Sequence, residues 1–432
     1  MSGAHVVTFG CRLNAYESEA IRRRADEAGL TDAVIVNTCA VTGEAVRQSR
    51  QAIRKLRREN PTAKIIVTGC AAQVEPETYA AMPEVDQVLG NIEKLETASY
   101  SADFLAGAER VRVNDIMAVK ETASQFVDSF DGRVRAVLQV QNGCDHRCTF
   151  CIIPYGRGPS RSVGMGAVVD EARALVHAGF QEIVLSGVDL TSYGHDLPGQ
   201  PKLGALVSRL LSHIPEMKRL RLSSFDAVEA DETLLRVIAE DARLMPHFHL
   251  SVQAGDDLTL KRMKRRHLRA DIVAFCAEIR RLRPDVAFGA DFIAGFPTET
   301  DSMFQNTMDL VDEARLSFLH VFPFSPRTGT PAAKMPQVAR ATIKERAARL
   351  RAKGASAMAA RLSSLVGRDM QLLVEKLGMA RTECFAPVHV PHTEEAGTIM
   401  RARITSHDGA MLKAEDAHLA PPPWRTQVHA FA

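Results

Sequence analysis

The sequence predicts an α/β protein in three parts: an N-terminal parallel-sheet α/β domain, a central partial (β/α)6 barrel and a small C-terminal all-β barrel. Three observations lead there. Short β-branched runs alternate with helix-like stretches over residues 5–90. Six further strand-like runs recur every 25–45 residues or so between positions 135 and 322, and four short runs separated by turn residues follow Met370.

In the first part the strand-like runs are 5–9, 33–36, 64–68 and 85–89, a parallel βαβ pattern. Residues 44–59 carry Arg47, Arg50, Arg54, Arg57 and Arg58 at a spacing that lines them along one stripe of a helix. Residues 92–133 are polar and weakly patterned, which suggests a linker with one helix. The second series comprises 135–140, 182–186, 219–222, 247–252, 286–292 and 316–322, with amphipathic helices such as 167–178 and 271–282 between them. Residues 340–381 hold ten Lys or Arg against three acids, a local net charge of +7. The last runs, 371–374, 384–390, 397–404 and 409–413, suggest a small antiparallel barrel of a kind often used for RNA. The expected domains are therefore 1–120, 130–365 and 366–432. The only low-complexity stretch is Pro421–Pro423.

Composition narrows the class. Of 432 residues, 46% are hydrophobic and 25% charged, which excludes disordered and fibrous chains. No run reaches the roughly 18 apolar residues of a membrane span. Met1 to Leu13 lacks the basic start and apolar core of a secretion signal, so the cytoplasm is the expected address. Lys and Arg (54) nearly cancel Asp and Glu (52), so any nucleic-acid binding must come from local clusters. Three basic stretches qualify, 47–58, 261–269 (KRMKRRHLR) and 340–381, and together they favour phosphate contact.

The eight cysteines point to the chemistry. Cys144, Cys148 and Cys151 form C-x3-C-x2-C directly after the first strand of the barrel series, where barrel enzymes place catalytic loops. Three thiolates can hold three irons of a [4Fe–4S] cluster and leave the fourth open to a ligand. The alternative is a structural zinc site with His146 as fourth ligand. Cys11, Cys39 and Cys70 are distant in sequence, yet each lies just beyond a predicted strand, in VVTFGC, VIVNTC and IIVTGC. A parallel sheet brings those ends to one edge, and Gly10 and Gly69 allow close backbone approach. Read without ligands, they would be three small buried hydrophobes. Cys276 and Cys384 have no partner at ligand spacing and read as core.

At this point GCRLNAYES, NTCAVT, VTGCAAQ, NGCDHRCTFCIIPYGRGPSRS, LSGVDLTSYG, RLSSFD, GADFIAGFPTET and HVFPFSPRTGTPAAKM resemble the radical S-adenosylmethionine (SAM) methylthiotransferases over residues 5–350. TECFAPVHV continues into a segment resembling the RNA-binding TRAM barrel. CIIPYGRGPSRS and SPRTGTPAAKM most resemble the branch that modifies N6-threonylcarbamoyladenosine next to the tRNA anticodon; sister branches act on isopentenyladenosine in tRNA or on a ribosomal-protein aspartate. A reading from another class is a non-catalytic, metal-stabilised RNA-binding protein.

The resemblance implies two [4Fe–4S] clusters. One, on Cys144, Cys148 and Cys151, would bind SAM and cleave it reductively to a 5′-deoxyadenosyl radical. The other, on Cys11, Cys39 and Cys70, would carry the sulfur that a first SAM methylates. The radical would then take hydrogen from C2 of adenine at position 37 of tRNA, and the methylthio group would be delivered there. It also implies SAM contacts from Phe150, Ser186, Gly187, Ser223, Gln253 and Asp291, although the usual acidic residue of the Ser186–Gly187–Val188 motif is missing. A threonylcarbamoyl group has a carboxylate, so Arg157, Arg161 and Arg327 are expected to meet the substrate. The expected partners are tRNA and an electron donor such as flavodoxin or ferredoxin, with the sulfur donor unknown and the chain acting as a monomer away from membranes.

Overall fold

The computed structural model describes residues 3–107, 109–120, 122, 134–390 and 395–419. Residues 123–133 of the expected linker and Pro421–Pro423 lie outside the described residues. In the N-terminal unit, β1 (His5–Thr8), α1 (Arg12–Glu27), β2 (Ala33–Thr38), α2 (Gly43–Glu59), β3 (Lys64–Gly69), α3 (Cys70–Val74), α4 (Pro76–Ala80), β4 (Gln87–Leu89), α5 (Ala102–Ala106) and β5 (Val111–Arg112) follow in turn. The sheet order is β1-β2-β3-β4-β5, and every pair is parallel. The central strand β2, AVIVNT, is buried at all six positions because a parallel sheet is covered on both faces. The fifth strand exceeds the four expected; at two residues it is too short to leave a periodic signal.

The central unit contains β6 (Arg135–Gln139), β7 (Gln141–Asn142), α6 (Ile153–Arg157), β8 (Arg161–Ser162), α7 (Met165–His177), β9 (Glu182–Ser186), α8 (Leu203–His213), β10 (Arg219–Leu222) and α9 (Glu232–Glu240). It continues through β11 (His247–Gln253), α10 (Asp257–Met263), α11 (Arg269–Leu282), β12 (Ala287–Ala294), α12 (Asp301–Glu313), β13 (Phe318–Pro323) and α13 (Arg340–Ser363). Strands β10-β9-β6 and β11-β12-β13 form two parallel sheets, and single bridges at Leu220–Leu244 and Phe225–Leu250 join them into one curved wall. Among the described residues β13 does not pair with β6, so the barrel is open on one side. Helix α1 belongs to both units: Tyr16 and Ala20 enter the barrel's hydrophobic core, and the Tyr16 hydroxyl bonds Glu171 at 3.0 Å.

The C-terminal unit is a closed barrel of β14 (Asp369–Lys376), β15 (Met379–Thr382), β16 (Pro387–His389), β17 (Ile399–His407) and β18 (Leu412–Leu419), in the order β14-β15-β16-β18-β17. Strand β15 is additional to the four expected. The run expected from 384 starts only at Pro387, because Phe385 takes a left-handed φ of 71° that no extended strand tolerates. Its ring lies under the guanidinium groups of Arg135, Arg221 and Arg381. Cys276 and Cys384 are buried in core clusters. No described helix is long and apolar enough to cross a membrane.

At the amino end of the barrel, Glu182 answers several cations. Arg221 holds it through two bonds of 2.8 and 3.1 Å, and Arg135 approaches to 2.9 Å and Arg219 to 3.9 Å. Burial alone would raise its carboxyl, but Arg221, then Arg135 and Arg219, hold it down to about 2. Its stabilisation is therefore complete above the ordinary value of 4.5 and is lost as pH falls towards about 2. Glu182→Gln strands buried guanidinium groups and is expected to cost about 3–5 kcal/mol of unfolding free energy. Urea denaturation at neutral pH reads this directly; an unchanged midpoint would show that the cations are satisfied elsewhere.

Candidate active site

The loop carrying Cys144, Cys148 and Cys151 leaves the carboxyl end of β6 and is closed by the β7–β8 pair, in which Asn142 opposes Arg161. Cys144 N donates to Gly158 O, Ser160 N to Asp145, and Thr149 Oγ1 to Arg262 O, so the loop is tied at both ends and in the middle. The three cysteines face a cavity of about 160 Å³ lined also by Phe150, Asp189, Ser224, Asp226, Ser251, Gln253 and Arg265.

The three thiols differ electrostatically. Burial pushes Cys144 upward and Cys151 to about 12. Cys148 is buried as well, but His146 and Arg265 outweigh that and lower it. Arg265 Nη1 lies 3.6 Å from its sulfur, while Nη2 binds Asp226 and Ser251 O, each at 2.6 Å. His146, the alternative zinc ligand, bonds Asp189 at 2.8 Å, and ligand atoms of Cys144, His146 and Asp189 lie within 4.8 Å of one another. Among the described residues three buried polar atoms here make no hydrogen bond, Ser186 Oγ, Ser223 Oγ and Arg265 Nε, while Asp226 Oδ1 faces His267 at 3.4 Å. Such groups call for a polar ligand.

Cys11, Cys39 and Cys70 converge at the carboxyl edge of the N-terminal sheet. Gly10 has φ of 99°, and a β-carbon there would lie 2.6 Å from Cys39 Cβ and 2.8 Å from its sulfur. Gly69, at φ of 95°, leaves equally little room against Thr38 O. Burial raises the Cys39 thiol to about 12, with Cys70 and Cys11 adding to the shift. The barrel loop packs directly on this triad, because Gly156 sits where a β-carbon would be 3.3 Å from Cys70 Cβ.

Adjoining the first cavity is a second, of about 190 Å³, lined by Val41, Thr42, Phe150, Gln253, Asp291, Ile293, Phe322, Phe324 and Ser325. Phe150 and Gln253 border both cavities. Asp291 accepts from His249 at 2.9 Å and faces His320 at 3.2 Å. Ser186, Gly187 and Ser223 line neither cavity; a β-carbon at Gly187 would meet Gln141 Oε1 at 2.8 Å.

The structure separates the three candidate arginines. Arg157 is buried, with Nη1 on Glu17 and Asn142 and Nη2 on Glu17 and Asn14. Arg161 is buried with its tips on Pro159 O and Arg157 O. Arg327 is 8% exposed, and among the described residues its guanidinium makes no hydrogen bond or ion pair. It lies beside Gly43, whose amide donates to Ser325 Oγ at 3.1 Å on the rim of the second cavity.

Three residues escaped the sequence reading. Asp189 supplies an acid one position after Ser186–Gly187–Val188, and Asp226 closes RLSSFD. Arg265 belongs to KRMKRRHLR, expected as a surface patch. Lys264 turns left-handed after α10, so Arg265 and His267 run back beneath the mouth, while Arg266 pairs with Glu229 and Arg269 with Glu313.

Residues 138–311 match the Radical SAM superfamily, and residues 3–90 match the Uncharacterized protein family UPF0004. A threonylcarbamoyladenosine tRNA methylthiotransferase MtaB from Rickettsia prowazekii is 52% identical over 94% of this chain and 96% of its own. The chain belongs to the radical SAM methylthiotransferase family. Other members include the Bacillus subtilis protein of the same name, 37% identical over 76% of this chain and 74% of its own. A tRNA-2-methylthio-N(6)-dimethylallyladenosine synthase from Erythrobacter litoralis is 35% identical, with 86% of each chain covered. Among solved structures, the radical SAM methyltransferase TsrM from Kitasatospora setae superposes with a TM-score of 0.55 over 77% of each chain at 14% identity, a likeness of fold alone. Membership in this family implies SAM and a [4Fe–4S] cluster.

Gly10→Ala tests whether close approach at the sheet edge assembles the N-terminal triad. On the two-cluster reading proposed below, it is expected to lower iron uptake on anaerobic reconstitution to the share of the barrel-mouth triad. Gly166→Ala, where nothing lies within 4 Å of the new carbon, is the control and should not change it. Full iron uptake by Gly10→Ala would show that the triad tolerates displacement of Cys39.

Proposed function

We propose that this protein places a methylthio group on C2 of N6-threonylcarbamoyladenosine at position 37 of tRNA, using SAM and two [4Fe–4S] clusters. Cys144, Cys148 and Cys151 would hold one cluster and Cys11, Cys39 and Cys70 the other. The observation that carries this reading is the pair of cysteine triads at strand ends, one lining the mouth cavity and the other packed against the same barrel loop at Gly156 and Cys70. When bound, the clusters supply the electron for SAM cleavage and an open iron for sulfur.

The chain's own groups bind, orient and exclude water. Phe150 and Gln253 reach SAM from the cavity wall. The acids Asp189 and Asp226 line the mouth cavity and suit the polar groups of SAM; Ser186, Gly187 and Ser223 lie behind that wall at the ends of β9 and β10, the two hydroxyls without a hydrogen bond among the described residues. Asp291, fixed by two imidazoles, takes the adenosine side. Arg327 meets the threonylcarbamoyl carboxylate, since a buried guanidinium without a protein partner requires an anion. Thr42 and Ser325 offer hydroxyls beside it. In this reading the exposed Lys261 and Lys264 and the C-terminal barrel contact tRNA phosphates. A small reductant such as flavodoxin or ferredoxin serves a monomer in the cytoplasm.

Two experiments test the reading. Reconstituted protein should hold about eight irons per chain, and the Cys11/Cys39/Cys70→Ala variant about four. An unchanged iron content in that variant would remove the N-terminal triad as a cluster site. Turnover should require tRNA bearing threonylcarbamoyladenosine. Arg327→Ala should cut kcat/KM on that substrate by tens to thousands of fold, the effect of truncating one side of a buried charge pair worth about 2–5 kcal/mol. Equal turnover of isopentenylated tRNA by the parent enzyme would overturn the substrate assignment.

A further inference from the structure

Beside the N-terminal triad lies a charge set that cysteine ligation alone does not require. Glu17 on α1, Lys94 and Arg157 have side chains 2%, 0% and 2% exposed. Arg157 grips Glu17 in a fork of 2.7 and 2.9 Å, and Lys94 Nζ donates to the same carboxylate at 2.7 Å. The two cations' remaining side-chain bonds go to neutral amides: Lys94 to Asn91 Oδ1, Arg157 to Asn14 and Asn142. Burial pushes the Glu17 carboxyl up, but Arg157 and Lys94 hold it down at about 2; burial also lowers the Lys94 ammonium, which the Glu17 carboxylate opposes, so formally two cations face one carboxylate and the trio counts one excess positive charge.

An excess buried charge is costly unless an anion faces it. Two of its asparagines lead to the cysteines. Asn91 Nδ2 lies 3.8 Å from Cys70 Sγ, within reach of a hydrogen bond donated to sulfur, whereas at Cys11 it is the thiol that faces Asn14 Oδ1, at 4.0 Å. Asn14 Nδ2 also holds Thr38 O, the carbonyl immediately before Cys39. A path of donors and acceptors therefore runs Arg157–Glu17–Lys94–Asn91–Cys70, and Asn14 joins Arg157 to the carbonyl before Cys39. Arg157 comes from the barrel loop, six residues after Cys151.

We propose that Glu17, Lys94 and Arg157 act as a fixed net cation that raises the reduction potential of the cluster held by Cys11, Cys39 and Cys70. This rests on the reading that the N-terminal triad holds a cluster. Thiolate-ligated clusters are anionic, their potentials follow net charge and hydrogen bonds to sulfur, and a fixed charge in a dry site acts strongly. These are positioning residues: they touch the cluster's ligands through the asparagines.

The test uses the full chain with Cys144, Cys148 and Cys151 replaced by Ala, reconstituted anaerobically, so that one cluster remains for a redox titration followed by electron paramagnetic resonance. In that background Glu17→Gln removes the negative charge and should move the midpoint up. Lys94→Met and Arg157→Met each remove a positive charge and should move it down. Each shift should change the reduced-to-oxidised ratio at the parent midpoint about tenfold, which is about 59 mV for a one-electron couple. The double variant Glu17→Gln/Lys94→Met restores the net charge and should return the midpoint to the parent value, even if a single variant fails to hold iron. Shifts of one sign, or none in variants that keep their iron, would overturn the proposal and leave the cluster assignment standing. A background protein that takes up no iron would overturn both.

Discussion

The fork of Arg157 on Glu17 is the contact around which the candidate site is arranged. It joins the first helix of the N-terminal sheet unit to the loop that follows the barrel's cysteines, across 140 residues of chain. Both units are parallel α/β structures, and each delivers its cysteines to the carboxyl edge of its strands, as that geometry requires. Two such edges need not face each other. Here they do, because α1 buries Tyr16 and Ala20 in the barrel core while Arg157 and Gly156 press the barrel loop against Asn14, Glu17 and Cys70. The cavity between Thr42 and Phe150 is what remains where the two edges meet.

Much of this was legible from the chain alone. A β-branched run ending in Gly-Cys or Thr-Cys states both the strand and the position of its cysteine, so the three sheet-edge thiols could be placed together without coordinates. The short spacing of Cys144, Cys148 and Cys151 likewise fixed a loop at the barrel mouth. What could not be read were contacts set by partners far away in sequence. Arg157 resembled a substrate arginine until Glu17, Asn14 and Asn142 closed around it. KRMKRRHLR resembled a basic surface until the left-handed Lys264 turned Arg265 towards Cys148. Strands β5 and β15 carried too few residues for periodicity, and nothing local announces the reversed φ of Phe385 that delays β16.

Arginine use follows one theme. Arg157, Arg161, Arg219, Arg221 and Arg346 are all buried, and each is met by carboxylates or carbonyl oxygens inside the fold. Planar guanidinium groups suit this work because one group can satisfy several acceptors in fixed directions. The near-neutral total charge therefore conceals a division between structural cations in the interior and exposed ones such as Lys261 and Lys264. Arg327 stands apart from both groups: it is buried beside Gly43 near the second cavity, nothing among the described residues pairs with it, and the substrate assignment turns on it.

The proposed reaction is the addition of a methylthio group to a threonylcarbamoylated adenosine of tRNA. Mass spectrometry of nucleosides from total tRNA, compared between cells with and without the gene, tests it most directly. Without the gene, 2-methylthio-N6-threonylcarbamoyladenosine is expected to disappear, the unmethylthiolated nucleoside to accumulate in its place, and methylthiolated isopentenyladenosine to be unchanged. An unaltered pool of the threonylcarbamoyl product, or loss of the isopentenyl one instead, would contradict it.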